Sequence, residues 1–200
     1  MTGILAPALQ SFISDSYGPA VWRSVLAASP GAPLEGFEIM LSYDRVVSDA
    51  VLASAADRLD RTQADLLEDL GTYLVANGHT EPIRRLLRFG GADFDGFLDT
   101  LGDLPDRARL ALPHAILPRL RVEDVGDGEW IIWCAREPAG LVHMLLGAIR
   151  AMADDYGALV VAMLAEDEGQ DSNRRIDIIV SSQTHAAGRA FDIGARASTC

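Results

Sequence analysis

The chain has 200 residues, 49% of them apolar, which is enough to bury one large core or two fused ones. Its formal net charge of −12 has the wrong sign for gripping a phosphate backbone, and no apolar run approaches the roughly 18 residues a membrane helix needs. The two cysteines, Cys134 and Cys200, make neither a disulfide framework nor a metal site, and no basic segment followed by a long apolar stretch opens the chain, so a cytoplasmic protein is expected.

From the N-terminus, Ile4, Leu5, Ala8, Leu9, Phe12 and Ile13 recur at helical spacing. Tyr17-Gly18-Pro19 breaks the run, and Pro19 suits the first turn of a second helix reaching Ala28. Ser29 to Gly36, with two prolines and two glycines, reads as a loop, and Phe37 to Leu41 as a short apolar stretch of unassigned type. Asp44 to Leu59 reads as a helix. Thr62-x-x-Asp65 resembles a capping box before Leu66, Leu67 and Leu70, in a helix ended by Gly78. Thr80-Glu81-Pro82 opens a short helix closed by Gly90-Gly91. Phe94, Phe97, Leu98, Leu101 and Leu104 make one face of the next helix. Pro105 then either kinks that helix or starts a new one through Leu112.

After Pro118 the period changes. Leu120–Val125 and Glu129–Ala135 read as strands joined by the hairpin signal Gly126-Asp127-Gly128. Leu141 to Met152 is helical, and Ala158–Ala165 and Arg175–Val180 are strands around an acidic connector, Glu166 to Ser172. That connector lacks the carboxylate spacing of an EF-hand and reads as a solvated loop. The expected fold class is α+β: a helical lobe over residues 1–115, then β-β-α-β-β over 116–180, an antiparallel four-stranded sheet with one packed helix. Residues 181–200, rich in Ala, Gly and Ser, read as a mobile tail. There is no nucleophile elbow, P-loop or dinucleotide fingerprint, and no enzyme is expected. Trp22, Trp130 and Trp133 read as core or sheet-face residues, because no basic neighbours accompany them as a nucleic-acid platform requires.

This layout and several strings resemble the H-NOX (heme–nitric oxide/oxygen-binding) sensor family over about residues 1–180. The strings are Gly3-Ile4-Leu5, Tyr17-Gly18-Pro19 with Val21-Trp22, Tyr43-Asp44, Phe97 to Leu104 against F-L-x-N-L-D-x-L, Pro113 and Pro118, and Gly140-Leu141 with Gly147. The resemblance implies the H-NOX fold, heme-based sensing of nitric oxide or oxygen, and a histidine kinase or cyclic-dinucleotide enzyme as partner, with neither nucleic acid nor membrane involved. In the family a histidine follows the F-L-x-N-L-D-x-L string and ligates heme iron; here that position is Pro105, which has no donor atom. A family Tyr-x-Ser-x-Arg motif clamps the heme propionates. Counted without gaps its positions hold Cys134, Arg136 and Pro138; with a two-residue insertion they hold Ile132, Cys134 and Arg136, and the Tyr is gone in both. Ordinary five-coordinate heme is therefore not expected.

Other cofactor-side residues are implied by the same resemblance. His143 falls where some relatives carry a distal-pocket residue, and is either an alternative iron ligand or a helix histidine satisfied by backbone or water. Arg136, pointing inward, would contact a propionate or another carboxylate. Cys134 is a buried strand thiol, with thiolate ligation of heme as the alternative, and Pro118 lies on the cofactor side. His114 reads as a loop residue, His79 as a helix-terminus residue complementing the dipole, and His185 as solvated. The resulting expectation is a sensory module with heme lost or bound atypically. The alternatives are a true gas-sensing heme protein using His143, and an interaction module with a collapsed pocket.

Overall fold

In the computed structural model, residues 5–184 are described except 39, 40, 42, 112–116, 137–139 and 166–172. Pro113, His114, Pro138, the acidic connector and His185, each assigned a role from sequence, lie outside the described residues.

The first half is helical. Leu5–Tyr17 (α1) and Pro19–Ala28 (α2) meet at Gly18, whose φ of 91° is a conformation L side chains rarely adopt, and Pro19 opens α2 as its first residue. Asp44 caps Arg45–Leu59 (α3) by accepting from the Val46 N–H, and Thr62 caps Gln63–Ala76 (α4) by accepting from the Asp65 N–H. The α4 helix ends at Ala76, and Gly78 belongs to a short 3-10 turn, Gly78–Thr80, leading into Glu81–Arg88 (α5). The apolar faces of α1 to α4 close over one core that includes Leu9, Ile13, Val25, Val51, Leu66 and Leu70. Burial of each such side chain contributes roughly 1.5–3 kcal/mol.

The expected helix from Phe94 through Leu104 is divided. Phe94–Asp99 (α6) stops before Thr100, a 3-10 turn covers Leu101–Asp103, and Leu104–Ala111 (α7) follows. The reason is local competition for carbonyls. The Thr100 hydroxyl donates to the Gly96 and Phe97 carbonyls at 3.1 and 3.2 Å, and the Arg107 guanidinium donates to the Thr100 carbonyl at 3.0 Å. Pro105 thus sits in the first turn of a new helix, where its missing N–H breaks no bond.

Leu120–Gly126 (β1), Glu129–Ala135 (β2), Ala158–Leu164 (β3) and Asn173–Thr184 (β4) form one antiparallel sheet in the order β1-β2-β4-β3. The β1–β2 turn uses positive φ at Gly126, Asp127 and Gly128. Strand β4 runs to Thr184, so residues 181–184 belong to the sheet and not to the expected tail; Thr184 pairs with Ala158. Leu141–Tyr156 (α8) covers one face of the sheet, burying Ile132, Cys134, Ile176 and Ile178 against Val142, Leu146, Ile149 and Met152. No helix among the described residues is long and apolar enough to cross a membrane.

The lobes join where α4 crosses α8. A β-carbon at Gly71 would stand 2.0 Å from the Met144 carbonyl oxygen, and one at Gly147 would stand 1.9 Å from the Glu68 carbonyl oxygen. Only glycine allows the two backbones this approach, which the Thr72 hydroxyl spans by donating to the Gly147 carbonyl at 3.3 Å.

Candidate functional site

The site indicated by the sequence lies where α6 and α7 approach the sheet and α8. Leu98, Leu101, Leu104, Val75, Ile132, Cys134, Val142 and Leu146 are all buried in one cluster. Pro105 is half-buried beside Leu104 and offers only carbon at its side chain. Pro118 is buried just before β1.

Cys134 faces this core from β2 and is fully buried; its Sγ lies 3.6 Å from the Ala135 carbonyl oxygen. Burial pushes the thiol up to about 12. At neutral pH it is a protonated thiol, whereas the metal-binding form is the thiolate. The thiol is the buried strand thiol expected from the sequence.

His143 occupies the first turn of α8 and is half-buried. Its neighbours in charge are Arg174 on β4 and Glu68 and Asp65 on α4. Burial and then Arg174 lower its pKa from 6.5, while Glu68 and Asp65 oppose them. The residue of this turn that packs against the helical-lobe core is the next one, Met144. Arg136 follows β2 directly and is half-buried. The register places Arg174 opposite Cys134 in the neighbouring strand. His143, Arg174 and Arg136 thus belong to the end of the sheet where β2 finishes and β4 begins.

Two features escaped the sequence reading. Met144 packs against the helical-lobe core where Gly71 and Gly147 let α4 and α8 approach closely; the seven-residue interval from Gly140 to Gly147 was the available signal. The second is a buried ion cluster. Asp155, near the end of α8, accepts from Arg84 Nε and Arg88 Nη1 of α5, both at 2.8 Å. The Arg88 guanidinium also lies 4.1 Å above the Tyr156 ring, and the Tyr156 hydroxyl donates to the Gly91 carbonyl at 2.9 Å. Nothing in the local patterns of α5 or α8 pairs these residues. Among the described residues no group of three or more His, Cys, Asp or Glu side chains is placed to hold a metal ion.

The family model described as "Haem-NO-binding" matches residues 2–163. The chain belongs to the H-NOX family. Among solved structures, the H-NOX protein of K. algicida in its Fe(II) unliganded form superposes with a TM-score of 0.78 at 16% identity, covering 92% of this chain and 98% of that one. The S. oneidensis H-NOX in its Fe(II)NO ligation state gives a TM-score of 0.74 at 16% identity, covering 90% and 99%. At that identity the likeness establishes the H-NOX fold alone. A curated relative, the guanylate cyclase soluble subunit beta-2 of Rattus norvegicus, is 28% identical over 109 residues. That stretch is 54% of this chain and 16% of the subunit, so the chain spans a minor part of that relative's length.

The H-NOX fold is therefore present with a changed donor set. Pro105, after Leu104, supplies no donor atom, and the buried sulfur at Cys134 holds its proton. These residues do not fit histidine-ligated heme as the family binds it.

Proposed function

We propose that this chain is a cytoplasmic, non-enzymatic sensory or regulatory module that has kept the H-NOX fold and given up ordinary histidine-ligated heme. The observation that carries the reading is Pro105 in the first turn of α7, beside buried Leu104, at the position to which the resemblance assigns the family's iron ligand. The apolar surroundings of that position and the protonated Cys134 thiol support it further. Its output is a relative movement of the two lobes about the α4–α8 crossing, read by a signalling partner such as a histidine kinase or a cyclic-dinucleotide enzyme. Hemin titration of the purified protein, followed by absorption, tests the reading. A flat or nonspecific spectrum is expected. A sharp, stoichiometric Soret band that shifts with nitric oxide would overturn it.

One observation favours a second reading. The lowered pKa of His143 keeps its imidazole neutral at neutral pH, the form that ligates metals. If His143 is an iron ligand in a gas-sensing heme protein, a stoichiometric Soret band appears in the unaltered chain and is lost in His143→Ala.

A further inference from the structure

The face of the sheet turned away from α8 carries an apolar strip. Leu159, Val161, Met163 and Ile179 are 45, 51, 53 and 49% exposed. Val161 pairs with Ile179, and Met163 pairs with Asp177, which pairs on its other side with Ile131. A sheet with one solvated face normally alternates apolar and polar residues, whereas a strand covered on both faces reads as a continuous apolar run. Strand β3, Ala-Leu-Val-Val-Ala-Met-Leu, is of the second kind, although it is an edge strand and α8 covers only one of its faces.

Its open edge is already guarded. The Ala165 N–H bonds the Arg175 carbonyl, so the odd-numbered residues of β3 face β4 and the Ala162 carbonyl points to the open edge. Arg150 of α8 caps that carbonyl with two donors, at 3.2 and 2.7 Å, and is itself paired with Glu68. A charged side chain there discourages a further strand from adding. What covers β3 must lie on its face.

We propose that the residues following β4, 185–200, are that cover. Strand β4 finishes with Thr184 opposite Ala158, so the chain leaves the sheet next to Leu159, at one end of the strip. Phe191 and Ile193 follow seven and nine residues after Thr184, on the same side of an extended segment. Seven extended residues span up to about 23 Å, enough to reverse and return over Val161 and Met163. Charge agrees: residues 185–200 hold two arginines, Arg189 and Arg196, and one aspartate, +1 in a chain of −12. Strand β4 passes the acidic β1–β2 turn at Val180, whose N–H bonds the Gly128 carbonyl, four residues before Thr184; on the face itself Asp177 is ion-paired with Arg175 at 2.9 Å. A second copy fits less well. It brings the same net charge of −12. Three strands of seven residues and one of twelve also offer a footprint of only about 520 Å² by strand spacing and rise, against about 800 Å² per partner in a stable dimer.

Amide hydrogen exchange of residues 185–200 in the full chain, at concentrations where sedimentation shows a monomer, tests the contact. Protection well above that of an unstructured peptide is expected. It should be lost in Val161→Asp/Ile179→Asp. A chain truncated after Thr184 should bind an apolar dye such as ANS several-fold more strongly than the full chain. Phe191→Ser/Ile193→Ser, which leaves the folded lobes untouched, should reproduce that increase. Random-coil exchange in the unaltered chain, or unchanged dye binding after truncation, would overturn the proposal. So would a dimer, formed equally by the full and truncated chains and broken by Val161→Asp/Ile179→Asp, because the face would then belong to a second copy.

Discussion

Gly71 and Gly147 stand on facing sides of the α4–α8 crossing, each with a carbonyl oxygen of the other helix where its own β-carbon would be: Met144 O at 2.0 Å and Glu68 O at 1.9 Å. The obstacle at both positions is backbone, which moves only if the helices part. Gly147→Ala is expected to lower stability by about 1–3 kcal/mol, the range for overpacking. In a domain of this size that is a fall in Tm of about 2–4 °C per kcal/mol, read by thermal or urea denaturation. The gain in helix propensity from Gly to Ala, about 1 kcal/mol, acts in the opposite direction, so a net stabilisation would show that the helices are not in contact here.

The buried carboxylate of Asp155 is held by two guanidinium groups, and Arg84 is itself buried. Burial works against the charge on Arg84, and Asp155 and Glu81 outweigh it. Asp155→Ala leaves two cations facing each other in a low-dielectric site and is expected to lower stability by about 3–5 kcal/mol. Denaturant midpoints for Asp155→Ala and for a double variant with Arg84→Met separate the loss of the pair from the penalty of the stranded charge. The double variant should be the milder of the two.

Pro105 occupies the first turn of α7, where a proline displaces no hydrogen bond. Pro105→Ala is expected to change stability by less than about 1 kcal/mol, because the fixed φ of proline suits a helix start. Had Pro105 interrupted a continuous helix, its replacement would stabilise the chain by several kcal/mol. Urea titration distinguishes the two.

Alkaline pH should weaken the fold through two protons. Burial raises Cys134 from 9.0 to about 12, and burial together with the Asp15 hydrogen bond raises Tyr73 from 10.0 to about 12. A group whose folded pKa is raised contributes stability that is complete below its unfolded pKa and is lost as pH rises toward the folded value. Stability should therefore fall from about pH 9 upward, first through Cys134. In a Cys200→Ser background, Cys134→Ala should flatten the start of that decline, and Cys134 should resist alkylation until the protein unfolds.

Much of the fold was legible along the chain. The breaks at Gly18-Pro19, the cap at Thr62, the hairpin at Gly126 to Gly128 and the period change after Pro118 are properties of neighbouring residues, so each could be read locally. The division at Thr100 was not, because it depends on a hydroxyl and on Arg107 competing for carbonyls of an otherwise well-patterned helix. The extent of β4 was underestimated because its last residues are placed by pairing with the start of β3.

The sequence by itself determined that position 105 carries no donor atom, because residue identity alone decides what chemistry a side chain can offer. It also determined the order of helices and strands, which follows from periodicity and from where glycine and proline interrupt it. Only the tertiary structure decided that Met144 reaches the helical lobe while His143 stands among Arg174, Glu68 and Asp65. It alone brought Arg84 to Asp155, 71 residues away. Such relationships depend on how far one helix turns and how closely it crosses another, and at the α4–α8 seam the close approach is allowed by two glycines whose partners lie in the other lobe.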